Sequence, residues 1–418
     1  MPSTSNSDFR RLWLGQTVSQ LGEQTSLVVL PLFAVLTLGT GAGQLGVLRA
    51  VEQAPILLLS LLVGAWVDRW RTRTVMVVAD VGRMLVLGAA AVAGSLNRLG
   101  LPALFVVVLA AGVLSVFFDM AYQASLVRLV NRDQLVRGNS VLEGSRSAAQ
   151  IAGPALGGAL VTLLSAPIAV ASSALFFALS FLSVRRIRRT ESVPECSERS
   201  PHVWRRIHEG LRFVAGDSLL RTVCLAAAAF QFFFAAMMTV YLLFLPRELQ
   251  LSGTAVGLAL AATGPGALVG ALLAARLPGR FGYGRVIVVA AALGDGVFLC
   301  VPALHGSFTT TMAVLLAVNF VFGISGQLVN VTVMAVRQAV TPHGMQGRAA
   351  ATINFAGMGL APLGSLFGGF LAQEWGLRTG LLVTAGGMVL SPLVMALSPL
   401  ARLGRDLHAL ARDRPGAE

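Results

Sequence analysis

Long apolar runs alternate with short polar breaks along almost the whole chain. The runs are not amphipathic stripes of the kind that face a water-soluble core. Leu101–Val116 and Val286–Pro302, for example, are apolar nearly all round, which is the pattern of membrane spans. A helix needs about 20 residues to cross the hydrocarbon. That length predicts helix 1 at Leu12–Leu36, helix 2 at Gln44–Val67, helix 3 at Thr74–Leu96 and helix 4 at Pro102–Ala124. Helix 5 is expected at Asn139–Leu164, helix 6 at Pro167–Val184, helix 7 at Thr222–Leu245 and helix 8 at Ala255–Leu277. Helices 9 to 12 follow at Val286–Leu304, Thr309–Val331, Ala349–Gln373 and Thr379–Leu400.

The expected architecture is therefore an all-α membrane protein of twelve transmembrane helices in two six-helix halves, at 1–184 and 221–400. The first stretch is too long for a secretory signal and has no small-residue cleavage site after it. The 185–220 segment is a polar linker, and 401–418 a tail. Within the linker, Trp204, Ile207, Leu211 and Val214 share a helical face opposite Arg205, Arg206, Glu209 and Arg212. Such a helix either lies on the membrane surface or serves as a solvated tether. The halves look like repeats. Pro55 and Pro265 are 210 residues apart, Pro154 and Pro362 208, and Gly157-Gly158 and Gly368-Gly369 211, all in equivalent helices.

Composition agrees with a membrane protein: 55% of the 418 residues are hydrophobic and 12% charged. All 32 basic residues are Arg, and the net charge is +13. Nucleic acid is one partner for such a balance, but the placement argues against it. Segments on the N-terminal side of the membrane hold 26 Arg, and the opposite loops hold three, Arg98, Arg247 and Arg378. The positive-inside rule then places both termini in the cytoplasm. The inner face would attract anionic lipid. Cys196, Cys224 and Cys300 are too far apart in sequence for a disulfide framework or metal spacing, and the five His fall in loops and tails. No nucleophile–base grouping or phosphate-binding loop is visible, so neither an enzyme, a cofactor, a metal nor an ATP-driven pump is expected.

Between helices 2 and 3 stands Gly64-Ala-Trp-Val-Asp68-Arg69-Trp-Arg71-Thr-Arg73. It resembles the signature loop of the major facilitator superfamily, with Trp70 where that family carries glycine. The resemblance implies the major facilitator fold, alternating access, and a cytoplasmic gate built on Gly64, Asp68, Arg69, Arg71 and Arg73. Helix 5 carries Gly153-Pro154-Ala-Leu-Gly157-Gly158, similar to the end of a signature of the superfamily's antiporters, with Ser140 and Ala149 at two of its glycine positions. Close helix packing with a proline kink is the alternative reading. The runs from Asp119-Met-Ala-Tyr to Asn139, and from Arg337 through Pro342 to Gly347-Arg348, resemble the branch containing enterobactin-exporter-like and macrolide-efflux-like permeases.

Acids within spans are functional candidates by default. They are Glu23, Glu52, Asp80, Asp119, Glu143 and Asp295. Arg49 with Glu52, Arg83 with Asp80 and Arg146 with Glu143 have the three-residue spacing of a shared helix face, so each is an ion pair or a gate contact. Asp119 and Glu143 are expected near the gate. Glu23 has no basic residue within two turns of its own helix, and Gln16 and Gln20 continue its face. It is read as a proton or cationic-substrate site, or else as a hydrogen-bonded structural acid. Asp295 also lacks a partner on its helix, and helix 4 carries no Arg where many proton-coupled relatives of the resembled family have one. On helix 7, Phe230, Phe234, Met237, Met238 and Tyr241 form one face, either lipid-facing packing or a cavity wall; Asn319 and Gln327 of helix 10 are candidate polar contacts.

The expected function is proton-coupled export of a hydrophobic or amphipathic small molecule, such as a drug, macrolide or siderophore, by a monomer. Import of a nutrient or siderophore is the first rival. A lipid flippase or a membrane sensor is the second.

Overall fold

The computed structural model describes residues 4–67, 70–129, 135–187, 203–342 and 345–405. These residues are almost entirely helical and include no strand. The helices are α1 (Thr4–Leu36), α2 (Ala42–Val67), α3 (Thr72–Ser95), α4 (Leu101–Leu129), α5 (Leu135–Leu163) and α6 (Ala166–Arg185). After α7 (Val203–Gly216) come α8 (Ser218–Arg247), α9 (Gly253–Ala261), α10 (Thr263–Ala274), α11 (Leu277–Phe281) and α12 (Tyr283–Gly296). The last four are α13 (Phe308–Val340), α14 (Gln346–Trp375), α15 (Leu377–Met388) and α16 (Leu390–Ala396).

Among the described residues, ten segments are long and apolar enough to cross a membrane. With α2 and α5, the two remaining long helices of the first half, the spans number twelve. Bare backbone cannot be left unpaired in lipid, which is why the spans are helical throughout. Large apolar side chains such as Leu58, Leu85, Val106, Leu272 and Phe370 stand exposed, a surface suited to lipid and not to water.

Several helices outrun the spans read from hydropathy. α1 starts at Thr4, eight residues before Leu12, and α13 continues to Val340, nine past Val331. Hydropathy marks only the hydrocarbon slab, whereas capping decides where the helix ends. Asp217 Oδ1 accepts from the backbone N–H groups of Leu219 and Leu220 (2.9 and 3.0 Å) and starts α8. Ser307 does the same for α13 through Thr310 N–H.

Two spans are broken, and proline explains both. Spans 8 and 12 divide into α9–α10 and α15–α16, and the last residues before the breaks are Ala261 and Met388. Each lies four residues before a proline, Pro265 or Pro392, which has no N–H to offer that carbonyl.

Contacts divide the chain into two units. The first comprises residues 1–196 and 245–261. In it α1 packs on α5 and α6, α3 on α4 and α6, α2 on α4, and α9 on α5. Its core gathers Leu12, Val63, Met76, Phe118 and Val184. The second comprises residues 197–244 and 262–418, with α10 and α12 on α13 and α14 against α15. The amphipathic α7 packs on α14 and sends Val214 into a core with Leu220, Ile287 and Val336, while Leu211 stays exposed. The side chains of Trp204, Arg205, Arg206 and Ile207 lie outside the described set.

Candidate functional site

The polar residues of the first unit converge from five helices. On α1, Gln16, Gln20 and Glu23 share a face, with Gln16 and Gln20 buried and Glu23 half-buried. Gln20 Nε2 reaches both Glu23 Oε2 (3.5 Å) and Asp119 Oδ1 of α4 (3.4 Å), long contacts that place the two carboxyls around one amide. Both amide atoms of Gln16 are buried without a partner. Arg83 of α3 and Arg146 of α5 act electrostatically on Glu23 and Asp119 together. Glu52 of α2 feels Glu23 as well, and binds Arg49 Nη1 at 2.8 Å.

Asp119 is joined to Gln20, and Arg146 acts on the same two carboxyls. The Glu143 side chain is outside the described set, as are Asp68 and Arg69. Gly64 falls in α2, its surroundings also undescribed. Of the remaining gate residues, Arg71 is exposed and Arg73 Nη2 donates to the Arg185 carbonyl at 2.5 Å.

Arg83 is the residue that sequence reasoning placed too locally. Its side chain is fully buried and bonds Asp80 Oδ1 at 2.6 Å. It also donates to Ser19 Oγ of α1 (3.0 Å) and Ser115 Oγ of α4 (3.3 Å). Phe118 and Phe177 sandwich the guanidinium at 4.5 and 4.2 Å. Asp80 Oδ2 accepts from Ser180 of α6 at 2.7 Å. One charge pair therefore ties four helices together. The helical spacing signalled the pair but not its partners on α1, α4 and α6.

The helix 5 glycines make close backbone crossings. A Cβ on Gly153 would strike Gln24, and one on Gly157 would lie 3.0 Å from the Thr25 carbonyl, both on α1. Gly158 faces α9, where the same atom would meet the Gly253 carbonyl and lie 2.7 Å from Gly257 Cα. Pro154 stays within a continuous α5, and its carbonyl faces Gly257. In the equivalent helix of the second half, Gly368 lies as close to Ala236 of α8.

In the second unit, Phe230 and Phe234 of α8 stack at 5.3 Å and continue onto Phe322 of α13 at 6.5 and 5.5 Å. Phe298 meets Phe322 edge-on at 5.1 Å and Tyr241 at 5.7 Å. Met237 and Tyr241 are fully buried, and Met238 and Gln327 half-buried. Asn319 Nδ2 donates to Tyr241 OH and to the Leu315 carbonyl, both at 2.9 Å. Phe230 and Phe322 border a cavity of about 280 Å³ that Asp295 also lines. No cluster fit to hold a metal ion occurs among the described residues.

Residues 2–415 match the family model described as transmembrane secretion effector. The chain is 28% identical over 408 residues to the multidrug efflux pump Tap of Mycobacterium tuberculosis, covering 91% of each. It is 23% identical over 418 residues to YfiS, an MFS-type transporter of Bacillus subtilis, covering 97% of this chain and 96% of YfiS. Among solved structures, the nucleoside transporter NupG aligns with a TM-score of 0.75 at 13% identity, over 93% of this chain and 98% of NupG. A bacterial homologue of the iron transporter ferroportin aligns with a TM-score of 0.71 at 17% identity, over 93% and 97%.

Proposed function

Because the chain belongs to the transmembrane secretion effector family of major facilitator transporters, we propose that it exports a hydrophobic or amphipathic small molecule in exchange for protons. The likeness to the multidrug efflux pump Tap supports outward transport of drug-like compounds. The observation that carries the coupling is a charge count in the first unit. Among the described side chains, four carboxyls, Glu23, Glu52, Asp80 and Asp119, share three guanidiniums, Arg49, Arg83 and Arg146. Arg49 and Arg83 are committed to Glu52 and Asp80. Glu23 and Asp119 are left with Arg146 and the outer reach of Arg83, one carboxyl in excess. Charge that is unbalanced within a membrane is costly, and a proton on Glu23 or Asp119 removes it. Glu23, which shares its α1 face with Gln16 and Gln20 and is joined to Asp119 through the Gln20 amide, is the proton carrier. The 26-to-3 division of Arg supports a bacterial cytoplasmic membrane with both termini inside.

The test uses cells stripped of their own efflux pumps and loaded with a lipophilic fluorescent dye, together with proteoliposomes under an imposed pH gradient. The native chain lowers dye accumulation, and the gradient drives dye transport. Glu23→Gln abolishes the gradient-driven component while leaving the protein folded. Gradient-driven transport in Glu23→Gln equal to that of the native chain refutes the coupling role. Higher dye accumulation in cells making the native chain refutes export in favour of import.

A further inference from the structure

Asp295 takes no part in the coupling cluster. It lies in the last turn of α12, just before the chain tightens into a 3₁₀ turn over Val297–Ala303. The residue is 4% exposed, and its Oδ2 has no hydrogen-bond partner. A buried polar group left in that state costs about 1–3 kcal/mol, and more when charged. Folding gains nothing from it, so the compensation is to be sought in a ligand.

The surroundings specify that ligand. The cavity of about 280 Å³ is bordered by α8, α12, α13 and α16, and among the described residues Asp295 is the sole charged or titratable side chain on its wall. The stacked rings of Phe230 and Phe322, 6.5 Å apart, line the same cavity, as do the amides of Gln231 and Asn330. One carboxyl, with aromatic rings and no other charge around the same cavity, is the chemistry that holds an organic ammonium ion. The carboxylate neutralises the charge, the ring faces add cation–π attraction, and neither needs water. The volume is at the small end of ligand pockets, about 300–1,000 Å³, which suits one aryl ring with short alkyl groups and excludes a macrolide.

We propose that this cavity is a binding site for lipophilic monocations, with the ammonium against Asp295 and the apolar body against Phe230 and Phe322. The inference rests on the export reading and narrows its substrate class to organic cations.

The probe is benzyltriethylammonium, titrated calorimetrically into the purified full-length protein in detergent. The native chain binds one equivalent. Asp295→Asn keeps the shape, removes the charge, and weakens binding by roughly tenfold or more. Its melting temperature stays at or above the native value, because an unpartnered acid has been removed. Phe322→Leu keeps the carboxyl and weakens benzyltriethylammonium more than tetraethylammonium. That variant tests the site on its own should Asp295→Asn not fold. Native-like affinity in either variant overturns the proposal, as does absence of binding to the native chain. Binding needs no gradient, so the two readings fail separately. Retained binding without cellular efflux removes the export function, whereas efflux with Asp295-independent binding removes the site.

Discussion

Asp80→Ala would strand a guanidinium in the membrane interior. Arg83 is fully enclosed, and after the substitution it keeps only the hydroxyls of Ser19 and Ser115 and two phenyl faces. Removing one partner of a buried ion pair costs about 3–5 kcal/mol. Ser180 also loses its acceptor, worth about 1 kcal/mol more. Arg83→Met leaves Asp80 with Ser180 alone and costs a similar ~3–5 kcal/mol. The double variant behaves differently. A methionine fits between Phe118 and Phe177 with favourable sulfur–aromatic contacts, and no charge is left unpaired. It is expected to unfold at least ~2 kcal/mol later than the sum of the singles predicts. Unfolding of the four proteins in mixed micelles with rising dodecyl sulfate, followed by tryptophan fluorescence, measures this coupling. Singles that add to within ~0.5 kcal/mol would refute the reasoning, because the two groups would then not be acting as a pair.

Two further outcomes follow from the packing. Gly158→Ala forces α5 and α9 apart, since the atoms its methyl meets are main chain, and is expected to lose about 1–3 kcal/mol with a clear drop in dye efflux. Gly88→Ala on α3, where nothing lies within 4 Å, is the matched control and should leave melting temperature and efflux near native, so equal behaviour of the two variants would discredit the crossing. Tyr241→Phe removes one buried hydrogen bond but leaves Asn319 its contact to Leu315, so thermal melting should show a loss of about 0.5–1.5 kcal/mol; a larger loss would mean that the hydroxyl has partners besides Asn319.

The spans were legible because lipid imposes one demand on every helix, an apolar stretch of a given length. The division of spans 8 and 12 was not. Pro265 reads only as the repeat partner of Pro55, and the backbone alone shows that α9 ends at Ala261. Within one helix, spacing gives contacts directly, as for Arg49 with Glu52 and Arg83 with Asp80. Between helices it gives nothing. Gln20 and Asp119 are 99 residues apart, and no periodicity joins them. The same limit hid Phe322, which completes the face that Phe230 and Phe234 begin. It also left Asp295 as an isolated acid until the cavity beside it could be seen.

Where α5 crosses α9, backbone rests on backbone, and Thr162 Oγ1 on one helix accepts from Thr254 N–H on the other at 2.6 Å. No side chain has room in such a seam, so it has no rotamers with which to adapt. A single added methyl there must be answered by moving a whole helix.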